Sequence, residues 1–316
     1  MPGRGRWVVE MSALPSGADW TQADAEALER AEGQLREVFG DGRQPLPVMR
    51  EKLDAMMTSL PLPEDVAVAE VSAGGVPALR VSAGTVDDSA AVVWLHGGGY
   101  LIGSPTGYRG VAAAVSAACG HPVIVPDYRL APEHPFPAAV EDAHAVMDWA
   151  AAQFGPRWVL AGDSAGGGLT VASLIRARDG GTAVPAAAVL VSPLADFTAS
   201  GESFDTHAEA DLAISRRSVQ GLAAAYLRDH DPRDPLASPV FGALDRLPAT
   251  LIQVSDREVL LDDAKALHAA MQRGGSASTL SIYSGVCHAW PMFVAYMPRA
   301  QRAVAEIGAF ARASVG

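Results

Sequence analysis

The sequence predicts an α/β protein with a mostly parallel sheet carrying helices on both faces, and three observations predict it. From residue 91 onward, short apolar runs alternate with helix-compatible stretches, the pattern of parallel strands buried on both sides. Before them, residues 66–71 and 76–81 read as a hairpin turning at Gly74-Gly75. The third observation is Val159-Leu160-Ala161-Gly162-Asp163-Ser164-Ala165-Gly166-Gly167-Gly168, where an apolar run passes into the helix-compatible residues 169–176. The junction fits the pattern Gly-x-Ser-x-Gly. A strand that becomes a helix in so few residues strains its apex and lifts the serine hydroxyl clear of the sheet. Glycine at 162 and 166 leaves room where side chains would collide. The helix beginning here aims its first free N–H groups at negative charge developing beside the serine.

Taken in order, residues 12–58 read as helical and separate from the rest of the chain. Asp19 or Thr21 caps a helix through residues 23–30, and residues 48–57 form a second, with Met49, Leu53, Met56 and Met57 on one side. Such a methionine-rich face serves as adaptable packing or as the wall of an apolar pocket. Pro61 and Pro63 end this part. Sheet strands are then expected at 91–95, 122–126, 158–161, 186–191, 250–254 and 279–283, with helices at 108–119, 138–154, 169–178, 261–273 and 298–313. Residues 197–235 interrupt the alternation with a polar loop and a helix near 215–228. They read as an excursion that joins residues 12–58 as a lid.

Composition narrows the function. With 316 residues, 49% of them apolar, the chain can bury a full core. A net charge of −12 disfavours nucleic acid or an anionic membrane as partner. No apolar run approaches the roughly 18 residues of a membrane span, and Trp7-Val8-Val9 is too short for a signal-peptide core. Met11 is a candidate natural start, with residues 1–10 as an extension. Cys119 and Cys287 are the only cysteines, which provides no disulfide framework and suits a reducing cytoplasm.

The candidate chemistry centres on Ser164. His96-Gly97-Gly98-Gly99 directly follows the first core strand, and a turn lined with glycine exposes N–H groups of the kind acyl transfer needs around an oxyanion. His288 follows the last expected strand, after both the serine and the candidate acids, and sits beyond a strand end where open α/β sheets place their chemistry. The other histidines lack that combination; His96 belongs to the glycine loop and shapes it. After the strand at 250–254, Asp256 and Glu258 both qualify as the carboxylate that orients the imidazole. Asp262 and Asp263 read as first-turn helix residues favoured by the dipole. Asp229-His230-Asp231 reads as a solvated turn before Pro232, so no metal is expected.

These segments resemble the hormone-sensitive-lipase-like carboxylesterases among the α/β-hydrolases. The resemblance is carried by His96-Gly97-Gly98-Gly99, by Asp127-Tyr128-Arg129-Leu130-Ala131-Pro132-Glu133 continuing through Ala139, by residues 162–167, and by His288. It implies the α/β-hydrolase fold, an eight-stranded sheet in residues 59–316 under a helical cap from residues 1–58 with 197–235, and no cofactor. It implies an oxyanion hole from the N–H groups of Gly98, Gly99 and Ala165. The family acid falls on Glu258, where aspartate is commoner, with Ser164 and His288 completing the triad. Arg129, Glu133 and Asp142 are then structural charges, and the Asp163 side chain points away from the nucleophile. The expected substrates are short- to medium-chain acyl esters, with Met49, Leu53, Leu101, Phe204, Leu212 and Ile214 as candidate pocket residues. Lactones, carbamates and amides suit the same triad, and a non-catalytic small-molecule receptor is the reading from another class. A homodimer through a sheet edge also fits the resemblance.

Overall fold

The computed structural model describes residues 20–40, 44–62 and 65–316. Asp19, Pro63 and the proposed extension at residues 1–10 lie outside the described residues. The cap of the first helix, α1 (Gln22–Phe39), is Thr21: its hydroxyl accepts from Asp24 N–H while the Asp24 carboxylate accepts from Thr21 N–H, satisfying two groups that the helix itself leaves free. The helix runs well past the expected residue 30 because Ala31, Leu35 and Val38 continue the buried stripe that begins at Ala27. A second helix, α2 (Leu46–Thr58), buries Leu53, Met56 and Met57.

The hairpin strands β1 (Val66–Ala73) and β2 (Val76–Ala83) pair antiparallel around Gly74-Gly75. The core then alternates β3 (Ala91–Leu95), α3 (Arg109–Cys119), β4 (Val123–Pro126), α4 (Ala138–Phe154), β5 (Trp158–Asp163), α5 (Ala165–Gly180) and β6 (Ala187–Val191). The excursion carries the short α6 (Ser203–Thr206) and α7 (Arg216–Tyr226); the core resumes with β7 (Ala249–Ser255), α8 (Leu261–Arg273), β8 (Ser278–Tyr283) and α9 (Pro298–Val315). The sheet has eight strands in the order β1-β2-β4-β3-β5-β6-β7-β8, parallel from β4 to β8. The number expected from the resemblance is the number observed.

Both faces of the sheet are buried along β3, β4, β5, β6 and β7, as the apolar runs require. Along β3, Val93 and Leu95 join one core while Val92 and Trp94 join the other, the two-residue alternation of a strand. One layer holds α4, α5 and α8; the opposite layer holds α3 and α9, with α1 and α2 packed beyond them. The chain leaves β3 toward β4 but leaves β5 toward β6, so the strand order reverses between β3 and β5. At such a switch point a crevice opens at the carboxyl ends of the strands. Leu95 stands in register with Gly162, which sets the glycine loop after β3 beside the turn after β5.

A boundary at the turn after β5 also differs from expectation. Helix α5 starts at Ala165, so Gly166-Gly167-Gly168 are helical rather than part of a turn. Glycine is required there by proximity: a Cβ on Gly166 would lie 2.0 Å from the Leu95 carbonyl oxygen. The composition that looks like a loop allows a helix to touch the sheet.

Candidate active site

Ser164 occupies the apex between β5 and α5 at φ 52° and ψ −120°, a backbone state that L-residues rarely adopt and that the surroundings must hold. They do so through hydrogen bonds from Ser164 N–H to the Val191 carbonyl (2.8 Å) and from Leu194 N–H to the Ser164 carbonyl (2.9 Å). The Ser164 hydroxyl lies 3.0 Å from His288 Nε2, and His288 Nδ1 lies 2.6 Å from Glu258 Oε2. All three side chains are buried, at 5%, 7% and 1% exposure. The second Glu258 oxygen accepts from the Ser192 hydroxyl (2.7 Å) and from Ser255 N–H (2.8 Å). Ala289 N–H donates to that same Ser192 hydroxyl at 3.2 Å, so Ser192 joins the acid to the residue after the histidine.

The two acids left open by the residues alone are separated by the geometry. Asp256 turns to the loop before His288, where it accepts from Gly285 N–H (2.8 Å) and from the Ser284 hydroxyl. Asp262 and Asp263 lie in the first turn of α8. Asp263 accepts from Ala195 and Asp196 N–H, and its burial pushes its carboxyl well above the usual range.

Electrostatics favour a charged imidazolium. Burial alone would lower the pKa of His288, but the charge and hydrogen bond of Glu258, followed by the charges of Asp211 and Asp163, hold it above the ordinary value. Asp211 went unnoticed in the sequence. Its carboxylate accepts from Ala213 and Ile214 N–H (3.0 and 2.9 Å) and from Val259 N–H (3.0 Å), tying the excursion to the turn that carries Glu258. Asp211, Glu258 and His288 form the only three-residue grouping of potential metal ligands among the described residues. Glu258 and His288 already bond each other there, and Asp211 spends both oxygens on backbone N–H groups. His230, in the turn set aside as a metal site, packs its ring edge-on against Phe136.

The glycine loop lies across the serine. Gly98 adopts φ 120°, and a Cβ there would stand 2.1 Å from the Ile102 carbonyl oxygen. Among the described residues, no backbone carbonyl accepts from the N–H groups of Gly98 and Gly99, and Ala165, as the first residue of α5, has an N–H outside the helix ladder. His96 stacks on Tyr128 with ring centroids 4.3 Å apart, and burial lowers its pKa to about 4. It is a neutral wall of the loop. Asp163 underpins this loop: it accepts from Gly97 N–H (3.1 Å), Trp94 Nε1 (3.0 Å) and the Tyr108 hydroxyl (2.7 Å).

A cleft of about 100 Å³ opens over Ser164. Of the expected pocket residues, Met49, Leu53, Leu101 and Ile214 line it, together with Leu35, Phe39 and Leu222, which sequence reasoning missed. Phe204 and Leu212 do not. Phe204 is 2% exposed within the core beneath the excursion, under the Arg216 guanidinium. At Leu212 the turn capped by Asp211 instead presents Ala213 and Ile214 to the cleft.

The charges assigned to the scaffold lie outside the triad. Arg129 pairs with Asp142 and Glu141. Glu133 is held by Arg50 of α2 through two 2.8 Å hydrogen bonds, which lower its pKa to about 2. Arg50 also donates to the carbonyls of Leu101 (2.7 Å) and Ala131 (3.0 Å), fastening α2 to the segment that follows the glycine loop.

Comparison with known proteins places the fold in a family. A family model for the alpha/beta hydrolase fold matches residues 92–292. An acetyl-hydrolase of Streptomyces hygroscopicus is 43% identical over 231 residues, covering 72% of this chain and 77% of the relative. An esterase of Acinetobacter venetianus is 31% identical over 266 residues, covering 83% and 88%. The solved structure of an esterase from the bacterial hormone-sensitive lipase family superposes with a TM-score of 0.89 at 39% identity, covering 92% of this chain and 99% of that one. The chain belongs to the α/β-hydrolase family, within its bacterial hormone-sensitive-lipase branch.

Proposed function

We propose that the protein is a serine carboxylesterase that hydrolyses short- to medium-chain acyl esters with Ser164 as nucleophile. The observation that carries this reading is the buried relay from the Ser164 hydroxyl to His288 Nε2 (3.0 Å) and from His288 Nδ1 to Glu258 (2.6 Å). His288 takes the hydroxyl proton as Ser164 attacks the ester carbonyl. The oxyanion is received by the N–H groups of Gly98, Gly99 and Ala165. As the tetrahedral adduct collapses, His288 returns the proton to the leaving alkoxide and an acyl-enzyme remains. Water, deprotonated by the same imidazole, then releases the acid and restores Ser164. Glu258 holds the imidazole in its tautomer and stabilises the imidazolium.

The substrate range follows from the cleft. Met49 and Leu53 of α2, Ile214 of the excursion and Leu222 of α7 line the cleft with Ser164, which supports assigning the described residues of the N-terminal helical segment, together with 197–235, as the cap over a catalytic domain of residues 59–316. Two cysteines, both buried as free thiols, support a cytoplasmic setting.

Initial rates on p-nitrophenyl esters from acetate upward, with Ser164→Ala beside the wild type, test the reading. The expected result is a serine-dependent optimum at short or medium acyl chains. Equal activity in the two proteins would overturn it.

A further inference from the structure

The 3₁₀ turn Trp290–Phe293 follows His288 almost at once, and its third residue stands where three cavities meet. Trp290, Pro291 and Phe293 are buried in the core, whereas Met292 is only half-buried. Met292 lines the cleft over Ser164. It also lines a void bounded by Tyr108, Val111, Asp163 and Ala289 that is closed too tightly in this structure to hold a water molecule. On its far side it lines an outer cavity of about 230 Å³ between the end of α2 and the face of α3. The cleft and the void share Tyr108, Asp163, Ala289 and Met292; the void and the outer cavity share Val111 and Met292. The three cavities therefore lie in a row, with Met292 common to all of them.

The outer cavity has the chemistry of a hydrocarbon site. Its walls include Met57, Leu60, Val111, Ala114 and Ala295, and Gly110 leaves the face of α3 open opposite α2. Methionine is unbranched, with three rotatable side-chain bonds, so Met292 can change rotamer without disturbing the anchored residues around it.

We propose that the cleft, the void and the outer cavity form one path that accepts the distal part of an extended, unbranched hydrocarbon chain of the ester, with Met292 as its gate. The proposal rests on the esterase reading and extends its substrate class to esters too long for the cleft alone. Both the acyl and the alcohol side of an ester can supply such a chain. Each methylene that the path shelters from water raises kcat/KM by about three- to fourfold.

The test compares long with short substrates in two arms, below their micellar concentrations. One arm uses p-nitrophenyl laurate against butyrate; the other uses decyl against butyl acetate, followed by acid release. Wild type, Met292→Ala, Ala114→Phe and Ala295→Phe are measured, the last two blocking the outer cavity from different walls. In the arm that uses the path, Met292→Ala is expected to raise the long-to-short ratio of kcat/KM. Each phenylalanine is expected to lower it about tenfold or more. If either phenylalanine variant turns over the short ester yet both arms keep their wild-type ratios, the path is refuted. Should both phenylalanine variants fail to fold, an unchanged ratio in Met292→Ala in both arms refutes it equally. Loss of the esterase reading itself is read separately, as short-ester hydrolysis that survives Ser164→Ala.

Discussion

Asp163 and Gly97 are joined by a 3.1 Å hydrogen bond across 66 residues of sequence. The residue immediately before the nucleophile therefore fixes the start of the loop that offers N–H groups to the oxyanion. Two parts of the site that arrive on different strands share one buried carboxylate.

Replacing Asp163 with alanine removes the acceptor for Gly97 N–H, Trp94 Nε1 and the Tyr108 hydroxyl at once. Unsatisfied buried donors cost about 1–3 kcal/mol each, and of the three only Gly97 N–H retains an acceptor, the Tyr108 hydroxyl oxygen at 2.9 Å. A loss of about 2–4 kcal/mol in urea unfolding is expected, with kcat reduced about tenfold or more as the loop shifts. Wild-type stability together with wild-type kcat would show that the loop does not depend on Asp163.

The pH dependence follows from His288. The imidazole must be neutral to accept the serine proton, and its pKa in the folded protein lies above the ordinary value because Glu258 outweighs burial. The acid limb of kcat/KM is therefore displaced to higher pH than an unperturbed histidine would give. In Glu258→Gln the charge that raises it is gone while burial remains. The limb then moves to lower pH, and the maximal rate falls about 10²- to 10⁴-fold. A pH profile of both proteins checks the direction of each change.

Arg50 connects the cap to the loop by hydrogen bonds to Leu101, Ala131 and Glu133. Arg50→Ala is expected to raise KM several-fold while kcat stays within about twofold, because Met49 and Leu53 on the same helix line the cleft but take no part in the chemistry. Arg50→Lys does not restore KM, since an ammonium lacks the planar fork that spans these acceptors. Equal losses in kcat and kcat/KM would place Arg50 in the chemistry instead.

How much of this was legible depended on whether a signal was local. Strands and core helices came from periodicity, and Ser164, His288 and the glycine loop came from short patterns whose spacing has a steric cause. Glu258 was separable from Asp256 only by resemblance until the structure showed each carboxylate's partners. Ser192 and Asp211 carried no pattern at all. Ser192 reaches Glu258 from 66 residues away, from the end of β6 across to the turn after β7, and Asp211 reaches Val259 from 48, through the packing of the excursion on the core. Phe204 and Leu212 were misplaced for the same reason: the excursion has no long period to say which side chains face inward. The helical glycines at 166–168 looked like a loop because their contact with β3 is tertiary.

The most direct test is covalent labelling of the resting protein with a fluorophosphonate, read by intact mass and peptide mapping. One adduct per chain is expected, on Ser164, with the rate of labelling falling by about 10³-fold or more in His288→Ala. An adduct on another residue, or labelling that does not depend on His288, would contradict the assignment of Ser164 as the activated nucleophile.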